Sequence, residues 1–301
     1  TALLNTRILA SLAMIVFVAA AAAGGTGAFF SDTETSTGNT FTAGDIDLQI
    51  DNESYIVATS TQGAGPSNLV ASPATSWSMT DLVAGTHRFF DFTDLKPGDV
   101  GEDTISIHVG SNNAWMCAAA RITQDTDQSC TEPELADDPT CVAPNSNGEL
   151  DSSLQFAFWE DDGDNVLEDT EIPGIFLSGT LESMGAQGKI ALADSTGGIN
   201  GPNSPIPGDT TFYIGKAWCM GTLAAGAVVQ DGLGKVGTPQ NIGNVPNGPL
   251  VRGTGVTCDG SAVNNEAQTD QVVGDMQFYA VQSRNNATFT CAANYNGFQP
   301  I

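Results

Sequence analysis

The sequence predicts an all-β chain: a jelly-roll-like antiparallel β-sandwich with long decorating loops, preceded by an N-terminal apolar helix. Three observations carry this. Apolar and polar residues alternate in several short runs, the period of a half-buried strand. The 34 Gly and 14 Pro among 301 residues are too many for a helical bundle and too few for collagen or plain disorder. No helical period of useful length and no strand–helix alternation follows the leader, which leaves a sandwich or jelly roll.

The leader comes first. After Arg7 the chain is uncharged from Ile8 to Ser31, with a dense apolar block over Ile8–Ala23 and small residues up to Ala28. A basic start, an apolar stretch and a small-residue end describe a secretory signal peptide over residues 1–28; a retained apolar helix is the alternative. Residues 29–44 form a separate N-terminal segment, and residues 45–301 read as one β-sandwich domain with insertions.

Within that domain Ile46–Ile50 and Ile105–Val109 alternate cleanly, the latter with His108 on its outer face. Leu154, Phe156 and Phe158 share one face, as do Phe212, Ile214 and Trp218, and then Met276, Phe278 and Ala280. Ala114–Thr123 and Phe89–Leu95 also read as strands. Gly-, Pro-, Asn- and Ser-rich stretches separate them, near residues 59–76, 126–150, 195–209 and 225–262. Lys96-Pro97-Gly98-Asp99 has Pro and Gly where a type II turn wants them.

Six cysteines, Cys117, Cys130, Cys141, Cys219, Cys258 and Cys291, suit an exported chain with disulfides. No CxxC pair suggests a zinc ribbon. Six cysteines allow 15 connectivities. Cys130 and Cys141 flank an acidic Pro-containing loop and form the most natural local pair; Cys219 with Cys258 is a second, which leaves Cys117 with Cys291. Asn52 and Asn286 each begin a glycosylation sequon.

Nine Lys and Arg stand against 35 Asp and Glu, a formal charge of −26. This balance excludes a general nucleic-acid binder and argues against an anionic-lipid binder; membrane contact falls to the N-terminal segment before processing. His87 and His108 are too few and too far apart in sequence for a zinc protease site. No nucleophile motif, P-loop or dinucleotide fingerprint is present, so no catalytic residue is assigned and the chain does not read as an enzyme. One acidic run stands out. Counted from Glu160, oxygen ligands fall at Glu160, Asp162, Asp164, Glu168 and Glu171, and Val166 supplies a carbonyl, close to the spacing of a calcium loop. Glu160 replaces the usual first Asp and Asn165 the usual Gly. The expectation is a structural Ca²⁺; the alternative is a solvated acidic turn.

Residues 28–48, AFFSDTETSTGNTFTAGDIDL, together with Leu95-Lys96-Pro97-Gly98-Asp99 ahead of the Asp103–Val109 strand, resemble the TasA/camelysin family of exported biofilm-fibre subunits, processed by a SipW-type signal peptidase. This chain is similar to an enlarged, disulfide-containing member. The resemblance implies a jelly roll that polymerises by donor-strand complementation, one copy's N-terminal strand completing the next copy's sheet. The donor residues would be Phe29, Phe30, Thr33, Thr35, Thr37, Thr40 and Phe41, in a segment without Pro that could enter an open sheet edge. Camelysin-type members are also described as metalloproteases, but no matching ligand set is found here. The expectation is an extracellular or cell-surface structural subunit whose partner is itself in a homopolymeric filament. A surface-anchored adhesive module is the alternative, and a camelysin-like secreted metalloprotease a weaker one.

Overall fold

The computed structural model describes residues 46–57, 69–144, 148–235 and 247–298. The expected leader, and Phe29, Phe30, Thr33, Thr35, Thr37, Thr40 and Phe41 of the expected donor segment, lie outside the described residues.

Twelve strands are described: β1 Leu48–Val57, β2 Leu69–Ala71, β3 Trp77–Thr80, β4 Val100–Val109, β5 Ala114–Asp127, β6 Leu154–Asp161, β7 Ile175–Thr180, β8 Lys189–Ala193, β9 Thr211–Met220, β10 Thr222–Ala225, β11 Val256–Asp259 and β12 Asp270–Gln282. Four short α-helices sit in the connections, α1 Glu132–Asp137, α2 Leu150–Ser153, α3 Leu181–Gln187 and α4 Pro249–Arg252, and a fifth, α5 Cys291–Asn294, follows β12. The larger sheet has the order β2-β1-β4-β9-β6-β7, with β3 also on β1. A second sheet has the order β12-β5-β8, and β10 with β11 forms a ribbon. All named pairs are antiparallel.

The pairing is nested. β4 pairs with β9, β5 with β8 and β6 with β7, each pair enclosing the next in sequence. β4, β9, β6 and β7 lie in one sheet while β5 and β8 lie in the other. A long hairpin rolled over itself in this way is the wiring of a jelly roll.

Alternation decides what goes inside. Ile50, Ile105, Ile107, Phe156, Phe158, Ile214 and Trp218 from the larger sheet share one buried core with Trp115, Met116, Ala118 and Leu192 from the smaller. Two glycines make the sheet flat enough for indoles, one on each face. Gly101 pairs with Trp218 on the core face and Gly215 with Trp159 on the opposite face, and a Cβ at either glycine would stand 2.3 Å or 2.1 Å from the ring opposite.

An ion pair lies within this apolar layer. Lys216 Nζ is 2.8 Å from Asp103 Oδ2, both side chains are 0% exposed, and the ammonium donates to the carbonyl of Phe89 at 3.0 Å and lies 3.7 Å from the Phe90 ring centroid. Burial pushes the Asp103 carboxyl up to about 6 although Lys216 pulls it down, and burial lowers Lys216 against the pull of Asp103.

The Phe89–Leu95 run is a correction. It is not a strand: Phe89, Phe90 and Phe92 turn their rings onto the core from an irregular segment that ends at Asp94, whose φ is +59°. Three closely spaced aromatics were bought by the core, not by a ladder. The turn that follows is type II as expected, with Asp99 N donating to Lys96 O at 2.9 Å and Gly98 at φ +90°.

Three disulfides join Cys130 to Cys141, Cys219 to Cys258 and Cys117 to Cys291. The last ties β5 to α5 and fastens the smaller sheet to the end of the chain. Among the described residues no helix is long and apolar enough to cross a membrane.

Candidate metal centre

The face of the larger sheet that turns away from the core is polar, yet it is buried. Strand alternation directs Asp51 and Glu53 from β1, Glu102, Thr104 and Ser106 from β4 and Asp161 from β6 to this side, and all six are at most 6% exposed. The connection from β6 to β7, residues 162–174, and Lys235 lie against them: Asn165 Nδ2 donates to Glu53 O at 3.2 Å, and Lys235 Nζ donates to Asp51 Oδ1 at 3.2 Å and Ser106 Oγ at 2.9 Å.

That connection is folded by its own carboxylates. Asp161 Oδ2 accepts from Gly163 N at 3.1 Å, and Asp164 Oδ1 accepts from Val166 N at 3.0 Å, two turns closed by Asp side chains. Asn165, where a calcium loop would place Gly, takes φ +71°, a region Asn tolerates better than most residues. Glu171 closes the loop with both oxygens, accepting from Asp162 N at 3.0 Å and Glu168 N at 2.9 Å.

This brings two groups of three carboxylates together, Asp161, Asp162 and Glu171, and Asp162, Asp164 and Glu168. In each group the oxygens lie within 4.8 Å of one another, and Asp162 belongs to both. Opposite ligands around a Ca²⁺ would be about twice 2.3–2.6 Å apart, so the spacing fits a hard cation. Arg252 supplies part of the compensation: Nη1 is 3.0 Å from Asp164 Oδ2, 3.2 Å from Asp231 Oδ2, and also pairs with Glu168. One guanidinium does not balance five carboxylates. Beneath them Glu102 is wholly buried, and neither of its oxygens has a hydrogen-bond partner.

The electrostatics follow from that deficit. Burial, then repulsion from Asp161, Asp162 and Glu168, pushes Asp164 up to about 9. Burial and the charge of Asp161 push Glu171 up to about 8, and burial puts Asp161 at about 7. Burial and the field of Asp161, Asp103, Asp164 and Glu53 hold Glu102 well above the usual carboxylate range.

Of the expected ligands, Asp162, Asp164, Glu168 and Glu171 meet here. Glu160 does not. It stands one residue earlier on β6, so alternation sends it to the opposite face, where it is exposed; Asp161 takes its place. Val166 is buried in the loop, its N–H engaged by Asp164. Glu53, Glu102 and Arg252 were not legible as site residues, because polar positions alternating with a core face read as solvent-facing unless something is known to cover them.

The other expected sites fall elsewhere. Asn52, expected as a glycan acceptor, is 0% exposed and its Nδ2 donates to Thr75 O at 2.6 Å, because strand parity puts it on the inner face. Asn286 is exposed. His108 pairs through Nε2 with Asp51 Oδ2 at 2.6 Å, and His87 Nδ1 accepts from Val83 N at 2.9 Å. Neither histidine belongs to a group of potential ligands among the described residues.

Residues 4–65 match the family model described as camelysin metallo-endopeptidase. The matched stretch includes β1, with Asp51 and Glu53, and ends before the disulfides and the acidic loop. No curated protein matches the chain.

Proposed function

We propose that this chain is an exported structural subunit of an extracellular filament, joined to its neighbours when residues 29–42 of one copy pair with the open edge of the smaller sheet of the next. The observation that carries the reading is β12. It is 13 residues long, it pairs with β5 on one side, and among the described residues no strand pairs with the other. A long edge of unpaired N–H and C=O groups recruits a further strand.

The N-terminal segment suits that edge in length and pattern. In an extended conformation Phe29, Thr33, Thr35, Thr37 and Phe41 fall on one face, while Asp32 and Glu34 fall on the other. Phe30 and Thr40 lie on the charged side. Disulfides and the match of residues 4–65 to the camelysin family support export. The metallo-endopeptidase description attached to that family points to another activity, but the acidic groups described above offer oxygen ligands without imidazole, a set for hard cations and not for a zinc protease. The chemistry of the acidic loop supports a structural Ca²⁺ held by Asp161, Asp162, Asp164, Glu168 and Glu171.

Deleting residues 29–42 is expected to leave folded monomers that form no fibres in negative-stain microscopy, and a synthetic peptide of that segment is expected to bind them. Fibres of normal abundance from the deletion would overturn the proposal.

A further inference from the structure

A second group of carboxylates lies at the far end of the smaller sheet, away from the acidic loop in sequence. Asp127 is the last residue of β5 and Asp270 the first of β12, and the two are direct partners in the ladder. Like charges facing each other across a strand pair destabilise it. Glu149, just ahead of α2, completes the group, and its own backbone N–H donates to Asp270 Oδ2 at 2.6 Å. Gly148 lets the chain come this close, since a Cβ there would stand 3.2 Å from the Asp270 carboxyl. One oxygen from each of Asp127, Glu149 and Asp270 lies within 4.8 Å of the others.

Asp127 is the informative member. It is 0% exposed, and neither of its oxygens accepts a hydrogen bond from any N–H or O–H group. A buried carboxylate in that state is costly, and the group directed at it is another carboxyl, that of Asp270. No ion pair among the described residues reaches Asp127 or Asp270. Arg252 partly compensates the acidic loop; nothing comparable is found here. Glu134 comes within the same distance of Asp127, adding charge of the same sign. Cys141 also lies there, but its sulfur is engaged with Cys130 and is no thiolate ligand. Burial and the neighbouring acids push Glu149 and Asp270 each up to about 7.

We infer that Asp127, Glu149 and Asp270 form a second site for a hard divalent cation of the Ca²⁺ class, which clamps the start of β12 to the end of β5. Three carboxylates can supply up to about six oxygens, within the 6–8 that Ca²⁺ takes. Glu149 and Asp270 are partly exposed, so the ion has a path from solvent.

The test counts bound calcium on the full chain by equilibrium dialysis against CaCl₂, with melting curves in CaCl₂ and in NaCl of equal ionic strength. Asp127→Asn with Asp270→Asn removes charge at nearly constant shape and is expected to fold, which a cooperative melting curve checks. It should bind one Ca²⁺ fewer per chain than the parent and melt higher than the parent in chelator, because the repulsion has gone. Glu149→Gln should weaken the same ion without affecting the acidic loop. Asp162→Ala with Asp164→Ala should retain the second ion, which separates the two sites. Equal stoichiometry in the parent and in Asp127→Asn with Asp270→Asn would overturn the inference and leave the pair sharing a proton.

Discussion

Lys216 and Asp103 show how far a single residue can depart from its environment. Both charges are taken fully out of water inside an apolar layer, and what they gain is one another, a carbonyl and an aromatic face. Removing one partner of such a pair typically costs about 3–5 kcal/mol, whereas replacing both with apolar residues is often neutral or stabilising. Lys216→Met should therefore destabilise the fold by about that amount in denaturant titration. Lys216→Met with Asp103→Leu should recover most of the loss. If the single and double variants were equally unstable, the lysine would be acting through packing against Phe89 and Phe90 and not through its charge.

At the scale of elements, the connection from β6 to β7 is where loop chemistry and strand parity meet. Glu171 holds Asp162 N and Glu168 N together, so the oxygens of Asp162 and Asp164 are gathered before any ion arrives. Binding to the folded form alone raises stability by mass action, about 2.7 kcal/mol at a hundredfold excess over Kd. Asp162→Ala with Asp164→Ala should thus lose most of the rise in melting temperature that CaCl₂ produces beyond NaCl of equal ionic strength. An unchanged rise would exclude the loop as the source. Much of this element level was readable. The alternating runs became β1, β4, β6, β9 and β12, because one face of each meets the core. Phe89–Leu95 misled because aromatic content signals burial without specifying a ladder. β7 and β8 escaped notice because they are short and carry weak alternation. Glu160 and Asp161 could not be told apart by spacing, since a ligand count along the chain is blind to which residue faces which side of the strand. Glu102 was hidden for a related reason: its burial depends on a loop about 60 residues away.

Across the whole molecule the acidic excess has a definite sign. Asp161, Glu149 and Asp270 at about 7, Glu171 at about 8 and Asp164 at about 9 all hold their protons more tightly in the folded chain than in the unfolded one. Their contribution to stability is therefore complete below about pH 4, where unfolded carboxyls titrate, and is lost as pH rises through about 7 to 9. Without divalent cations the melting temperature should fall across that interval, the reverse of ordinary acid denaturation. In excess CaCl₂ the fall should be abolished, because the cation takes the place of the protons. Differential scanning calorimetry at matched ionic strength checks both arms. A cation-free protein whose stability is flat between pH 5 and 9 would mean that these carboxylates find other compensation.

The ladder between β5 and β12 has a temporal meaning as well. It joins residues separated by more than a hundred positions, from Asp127 with Asp270 to Ala114 with Gln282. Loop closure on that scale is slow, and during synthesis β12 does not exist until more than a hundred residues after β5 have emerged. The edge that would receive a neighbour's strand thus forms only after the other eleven described strands have emerged. On the proposed reading, a nascent chain would carry residues 29–42 well before β12 exists, and would be protected against joining other copies until that strand has formed.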